Sequence, residues 1–294
     1  MCDNSSMDAN SLAISMADPV RQAGGILLRA TSSKLSPIFK DDGSATTDAD
    51  LASQRLLVAG LHALAPDVPF LVEEQDARQL RELQAAHPRL QFVAHQSANQ
   101  PLPPSYFSID PADGTSFLRN AYPVYAVSAA LVERGEPAAC ALFMPAVDLL
   151  LTAALNNGCR MNGTPIRIEH AKPLRESLIG LDNCRSVSDD FRRRVIDPVV
   201  RSCLYPPNLP SVASGFDVVL SRTGAWISSN THNWDVAGTC LAVREAGGVC
   251  HQLVLSEQGV SLAPIPWDRQ KMPPLIFAAR EDLIAEIVAE IRPA

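Results

Sequence analysis

The sequence predicts a mixed fold in which an α+β half precedes an α/β half, and two patterns carry that reading. Tyr122–Glu133, Ala138–Phe143 and Leu149–Ala154 are apolar runs separated by the turn signals Arg134-Gly135-Glu136-Pro137 and Pro145-Ala146-Val147-Asp148, the mark of an antiparallel meander. From Leu178 onward, strand-like and helix-like stretches alternate, as they do where helices cover a sheet. With the seam near residues 155–175, the halves fall over 1–160, which holds the meander, and 161–294.

Each element has its own signal. Residues 1–17 are small and polar and predict a frayed end, after which Asp18-Pro19 reads as an N-cap with proline at the first helical position of a helix to about Arg29. Lys40–Ala45 is a charged, glycine-containing loop. Thr47-x-x-Asp50 opens a second helix, on which Leu51, Leu57, Val58, Leu61 and Leu64 return at helical spacing until Pro66 ends it. Phe70-Leu71-Val72 is a short strand with Glu73 and Glu74 at its exit, Gln75–Pro104 mixes helix and loop, and Tyr106–Ile109 is a strand ending at Asp110. Strands at Leu178–Leu181 and Pro274–Ala278 then alternate with helices at Asp189–Cys203, Gly215–Arg222, Trp234–Ala246 and Asp282–Ile291. Gly247-Gly248 closes the third of these helices.

Composition narrows the function. The 294 residues are 47% hydrophobic and 19% charged, an ordinary globular balance that supports a sizeable core. A net charge of −7 without a run of Lys or Arg argues against a nucleic-acid polymer or an anionic membrane as partner. It leaves a phosphorylated small molecule open, because bound divalent cations reverse the local sign. The seven cysteines are scattered, with no C-x-x-C pair, and read as free thiols of a reducing compartment. Asp3 and Asp8 sit where a signal peptide would be basic, and no run approaches the ~18 apolar residues of a membrane span, so a cytoplasmic protein is expected.

The acidic residues carry the chemistry. Asp50, Glu73, Glu74, Asp110, Asp113 and Asp235 recur where strands or helices begin or end. In Asp110-Pro111-Ala112-Asp113-Gly114-Thr115, Pro111 stiffens the backbone between two carboxylates, Gly114 permits a tight turn with its amide exposed, and Thr115 sits where a helix would start. Amides at such a start can grip a phosphate, so six residues offer two metal-binding carboxylates and an anion cradle. Taken singly, the residues have ordinary readings. Thr47-x-x-Asp50 is a capping box, Glu73-Glu74 a solvated turn, and Asp235 a first-turn acid favoured by the helix dipole. No histidine pair has metal-binding spacing, although His232 stands three residues before Asp235, and no G-x-S-x-G elbow supports serine hydrolysis.

Taken in order, Thr47-Asp48-Ala49-Asp50, Glu73-Glu74, the 110–115 segment, Cys159-Arg160-Met161-Asn162-Gly163 and Trp234-Asp235-Val236-Ala237-Gly238 with Glu245-Ala246-Gly247-Gly248 resemble the signature blocks of the inositol monophosphatase superfamily, from about Pro19 to Arg280. The resemblance implies a layered αβαβα sandwich of the inositol monophosphatase and fructose-bisphosphatase type, and Mg²⁺-dependent hydrolysis of a small phosphate ester with two or three ions. It implies Glu73, Asp110 and the carbonyl of Ala112 on one Mg²⁺, Asp110, Asp113 and Asp235 on a second, and Glu73 on a third. Thr115 and Asp50 would orient and deprotonate the attacking water, Gly114, Thr115 and Asp235 would meet the substrate, and a homodimer is allowed. Oxygen ligands suit Mg²⁺.

The signals for substrate conflict. Members that prefer inositol phosphates carry an acidic residue about seven positions before the last metal aspartate, where this chain has Ser228. Thr231 resembles the 3′(2′),5′-bisphosphate nucleotidase branch, Asn162-Gly163 the inositol phosphatases, and Ser211-Val212-Ala213-Ser214-Gly215-Phe216 lacks the nucleotidase lysine. An inositol monophosphate-like substrate is the expectation. Adenosine 3′,5′-bisphosphate, a sugar bisphosphate and a non-catalytic scaffold are the alternatives.

Overall fold

The computed structural model describes residues 8–31, 36–39, 45–94 and 101–293. Residues 1–7, with Cys2, and all of the Lys40–Ala45 loop but Ala45 lie outside the described residues.

Helix α1 (Ala9–Ala30) begins ten residues before the Pro19 start that the sequence predicts, and Pro19 lies inside it. Asp8 caps it, accepting from Asn10 N at 3.0 Å and Ser11 N at 3.1 Å. The apolar stripe explains the difference: Leu12, Ala13 and Met16 upstream of the proline are buried with Val20, Ala23 and Leu27. An interior proline costs roughly 3 kcal/mol, while each large apolar side chain buried returns roughly 1.5–3 kcal/mol, so the helix runs through.

The short pair β1 (Ile38–Phe39) and β2 (Ala45–Thr46) leads into α2 (Asp48–Leu64), which Thr47 caps as predicted. The strands β3 (Phe70–Val72), β4 (Tyr106–Asp113), β5 (Ala126–Glu133), β6 (Glu136–Met144), β7 (Leu149–Ala154), β8 (Gly158–Met161) and β9 (Thr164–Ile166) form a seven-stranded sheet in sequential order. Only β3 and β4 are parallel in it, and the predicted meander is β5 to β7. Helix α3 (Ala77–Ala86) lies between β3 and β4, and α4 (Thr115–Arg119) follows β4.

A second, five-stranded sheet takes β10 (Ile179–Leu181), β11 (Ala225–Ser228), β12 (Val249–Ser256), β13 (Gly259–Ala263) and β14 (Leu275–Ala278) in the order β10-β11-β14-β12-β13. The predicted helix over Asp189–Cys203 is α5 (Asp189–Phe191) and α6 (Asp197–Ser202) joined by a π-helical turn over Arg192–Ile196. That turn carries Arg194 inward, where its Nε donates to Arg292 O at 3.1 Å. The last helices are α7 (Ser211–Val219), α8 (Asn233–Glu245) and α9 (Glu281–Glu290).

Strand alternation sorts these elements into layers. On β6, Ala139, Ala141 and Phe143 pack with Leu12 and Met16 of α1 and Leu57 of α2. Cys140, Leu142 and Met144 face the other way, toward Phe216 of α7 and Val236 and Leu241 of α8. The same core takes in Leu275 and Phe277 of β14, while Ile276 and Ala278 turn to Val199 of α6 and Leu283 of α9. The sequence of layers is helices, sheet, helices, sheet, helices: an αβαβα sandwich with α7 and α8 in the middle.

The middle layer is tight. A Cβ on Gly215 of α7 would lie 1.8 Å from Thr239 Cγ2 of α8. Gly215→Ala gains about 1 kcal/mol of helix propensity, but forcing the two helices apart costs typically 1–3 kcal/mol or more. The clash is expected to win, lowering the urea midpoint; a midpoint unchanged or raised would show that α7 and α8 are loosely apposed.

Candidate active site

The site begins with an irregularity. On a regular strand, residues three apart point to opposite faces. The β4–β5 register shifts between Asp110 and Asp113, where Pro111 can donate no ladder hydrogen bond, and this break brings both carboxylates to one side. Ser53 Oγ of α2 donates to Pro111 O at 2.7 Å and pins the bend. Because β3 runs parallel to β4, its exit lies beside that of β4, and Glu73 N donates to Ile109 O at 3.2 Å.

Two helices arrive from the middle layer. Asp235 lies in the first turn of α8 and accepts from His232 N at 2.6 Å, with the His232 ring stacked on Trp234 at 4.8 Å. Helix α7 follows Pro210 and has no side-chain cap of its own. Asp113 supplies one from another element, its Oδ2 accepting from Val212 N at 2.9 Å. Carboxylate oxygens of Asp110, Asp113 and Asp235 thus lie within 4.8 Å of one another. Glu73 is outside that trio but hydrogen-bonds Asp110 and lines the same cleft of about 1000 Å³.

Gly114 turns the chain away from the carboxylates at φ 85°, and a Cβ there would meet Pro210 Cγ at 2.8 Å and Val124 O at 3.0 Å. Thr115 follows at the start of α4. Its Oγ1 donates to Asp50 Oδ1 at 2.8 Å and lies 3.1 Å from Ala112 O. Asp50 is fully buried; its Oδ2 takes the Thr47 hydroxyl and, at 3.0 Å, the Thr47 amide. Thr115, Ala112 and Gly114 line the cleft, and Asp50 sits behind them.

Burial sets the protonation of these groups. It pushes Asp113 and Asp235 up to about 7, against the pull of the Val212 and His232 amides, and neighbouring negative charge adds to the shift. Asp110 is raised well above the usual carboxylate range by burial, then by Glu73, Asp113 and Asp235. Asp50 is raised by burial, in part offset by the Thr47 and Thr115 hydrogen bonds. Like charges about 4 Å apart repel by roughly 4 kcal/mol at an effective dielectric of 20. Buried, all-oxygen and mutually repelling, the trio with Glu73 and Ala112 O fits a hard divalent cation.

Several residues of the cleft were not singled out in the sequence: Asp182, Arg185, Asn230, Gln270 and Lys271 also line it. Asp182 had a readable signal, an acid directly after a strand. His232 lines the cleft, but Glu74 does not; its backbone N and O are clasped by the Gln54 side chain. Asn162 and Gly163 form the left-handed turn between β8 and β9, outside the cleft lining. The six described cysteines are free thiols, and no helix among the described residues is long and apolar enough to cross a membrane.

The raised pKa values make a prediction for the metal-free protein. Folded Asp113 and Asp235 keep their protons to about 7, whereas aspartates free in water lose theirs near 3.8. Between those values the folded chain binds more protons than the unfolded one, so stability from these groups falls as pH rises. Melting of the chelated protein should therefore lose more between about pH 5 and about pH 8 than melting of Asp113→Asn does, the groups common to both cancelling in the comparison. Equal losses would mean the carboxylates do not strain the fold.

The family model described as inositol monophosphatase family matches residues 11–285. A Xylella fastidiosa protein named Nus factor SuhB is 31% identical over 247 residues, 80% of each chain. A Dictyostelium discoideum inositol monophosphatase is 25% identical over 241 residues, 80% of this chain and 82% of that protein. Among solved structures, the extragenic suppressor protein suhB of Bartonella henselae superposes with a TM-score of 0.76 at 21% identity, covering 95% of this chain and 98% of its own. A Thermotoga maritima IMPase gives 0.70 at 21% identity, covering 93% and 94%; at such identities the likeness speaks for the fold. The chain belongs to the inositol monophosphatase family, whose members are phosphoric monoester hydrolases.

Proposed function

We propose that this protein is a Mg²⁺-dependent phosphatase of small phosphate monoesters, with an inositol monophosphate-like substrate, acting in the cytoplasm. The observation that carries the reading is the convergence of Asp110, Asp113 and Asp235 within 4.8 Å beside the Thr115–Asp50 pair. Glu73, Asp110, the carbonyl of Ala112, Asp113 and Asp235 would hold the ions. Bound there, Mg²⁺ supplies positive charge for the phosphoryl oxygens and lowers the pKa of water.

The chain's own groups handle the proton. Thr115 donates its hydroxyl hydrogen to Asp50, which leaves its oxygen able to accept one from a water in the cleft. Asp50 reaches the cleft only through Thr115, and its raised pKa suits a group that must take a proton. Gly114 and Thr115, at the turn into α4, and Asp235 across the cleft would border the phosphate. The relative named a Nus factor raises a second reading, a non-catalytic scaffold. The intact carboxylate set and the Thr115–Asp50 pair favour catalysis, because a scaffold has no need of either.

Phosphate release from inositol 1-phosphate, adenosine 3′,5′-bisphosphate, fructose 1,6-bisphosphate and histidinol phosphate, with Mg²⁺ and with chelator, tests the reading. Inositol 1-phosphate should lead and chelation should abolish turnover; no release from any of them refutes catalysis. Thr115→Ala and Asp50→Asn should each lower kcat by about 10²–10⁴-fold with little change in substrate binding. Their double variant should be little worse than either, and multiplicative losses would mean that the two do not act as a relay.

A further inference from the structure

The second sheet contributes to the lining of the same cleft that holds the carboxylate cluster. Asp182 leaves the end of β10 with its amide donating to Ile227 O at 3.0 Å. Ser228 of β11, fully buried, donates its hydroxyl to Asp182 Oδ2 at 2.9 Å, and its Oγ accepts from Asn230 N at 3.3 Å. A buried hydroxyl with both of its roles filled therefore aims a half-buried carboxylate that lines the cleft. Asp182 Oδ1 takes no hydrogen bond from the described residues. Gln270, on the same cleft, has its Oε1 buried without a partner.

These groups accept hydrogen bonds, and acceptors left unmet when a ligand displaces water are costly. The ligand that meets them must donate. Two donors are chemically open, a hydroxyl and an ammonium. Arg185 and Lys271 line the same cleft, with Lys271 Nζ donating to Asn230 Oδ1 at 2.6 Å, and their charge opposes a cationic group. A neutral alcohol bearing several hydroxyls fits.

We infer that Asp182 determines specificity by accepting hydrogen bonds from the hydroxyls of a polyol leaving group, with Ser228 as its positioning residue. The inference rests on the phosphatase reading, in which the phosphoryl group lies at the Asp110–Asp113–Asp235 end and its alcohol extends toward β10 and β11. The acid is thus delivered from the strand neighbouring Ser228, the position where the sequence led one to look for it.

The test is the ratio of kcat/KM for inositol 1-phosphate to that for phenyl phosphate, whose leaving group has no further hydroxyl to donate, in the parent, Asp182→Asn and Ser228→Ala. Asparagine keeps the size of the side chain and can still accept from Ser228, but its other terminus becomes a donor. The ratio should fall about 10–100-fold in Asp182→Asn, carried by KM for inositol 1-phosphate. Ser228→Ala should move it the same way by less, again through KM, and it carries the test should Asp182→Asn fail to fold. A ratio unchanged in the variants, in a parent that hydrolyses both substrates, overturns the role of Asp182 alone. A parent that hydrolyses neither refutes the phosphatase reading beneath it. A parent that prefers histidinol phosphate, with its ammonium, over inositol 1-phosphate overturns the polyol assignment.

Discussion

Like charges held together out of water are the constraint around which this molecule is built. Three carboxylates share a volume in which any two repel by roughly 4 kcal/mol at an effective dielectric of 20, and the positive charge of Lys271 bears on Asp235 as a partial offset. Each is held by a backbone amide: Asp110 by Ala112 N at 2.8 Å, Asp113 by Val212 N and Asp235 by His232 N. Amides are donors that the fold cannot easily move. The strand irregularity and the first turns of α7 and α8 therefore have to meet at one point, and the αβαβα stack brings them there.

That requirement reaches into the packing. The middle helices must lie against the first sheet and against each other closely enough for their first turns to reach the end of β4. Small residues allow it: Gly215 faces Thr239, and a Cβ on Gly238 would stand 2.7 Å from Leu142 Cδ2 of β6. The apolar core common to both sheets, with Leu142, Phe216, Val236 and Phe277, fixes the distance. Packing of the middle layer and geometry of the acidic site are one problem with one solution.

How much of this the sequence disclosed follows from which interactions are local. The capping box at Thr47, the meander turns and the 110–115 segment are short-range devices, and they were readable. The start of α1 was not, because a proline signal is local whereas the burial that overrides it comes from α2 and the first sheet. Strands β11, β12 and β13 escaped notice, the first between two helices and the others half-exposed, with weak apolar alternation. Asp113 was readable as an acid of the site but not as the cap of α7, since 99 residues separate it from Val212. Glu74 stood among the recurring acids and Asn162-Gly163 among the resembling blocks without a role for either, and neither lines the cleft.

The two sheets divide the site unequally, and the division follows from how each holds its residues. Everything around the carboxylate cluster is anchored twice over, by a bent strand and by helix first turns, so a change there disturbs charge balance and packing together. The wall built from the second sheet hangs on the ends of β10 and β11 and on side-chain hydrogen bonds such as Ser228 to Asp182 and Lys271 to Asn230. The Lys271–Asn230 contact can be exchanged without touching the core, because Lys271 is exposed, whereas Asp182 is tied to the buried Ser228. A fold arranged in this way can keep one reaction at its rigid end while altering the alcohol it accepts at the other. An acid one strand away from its expected position, held by the serine that stands there, is the kind of exchange such a wall permits.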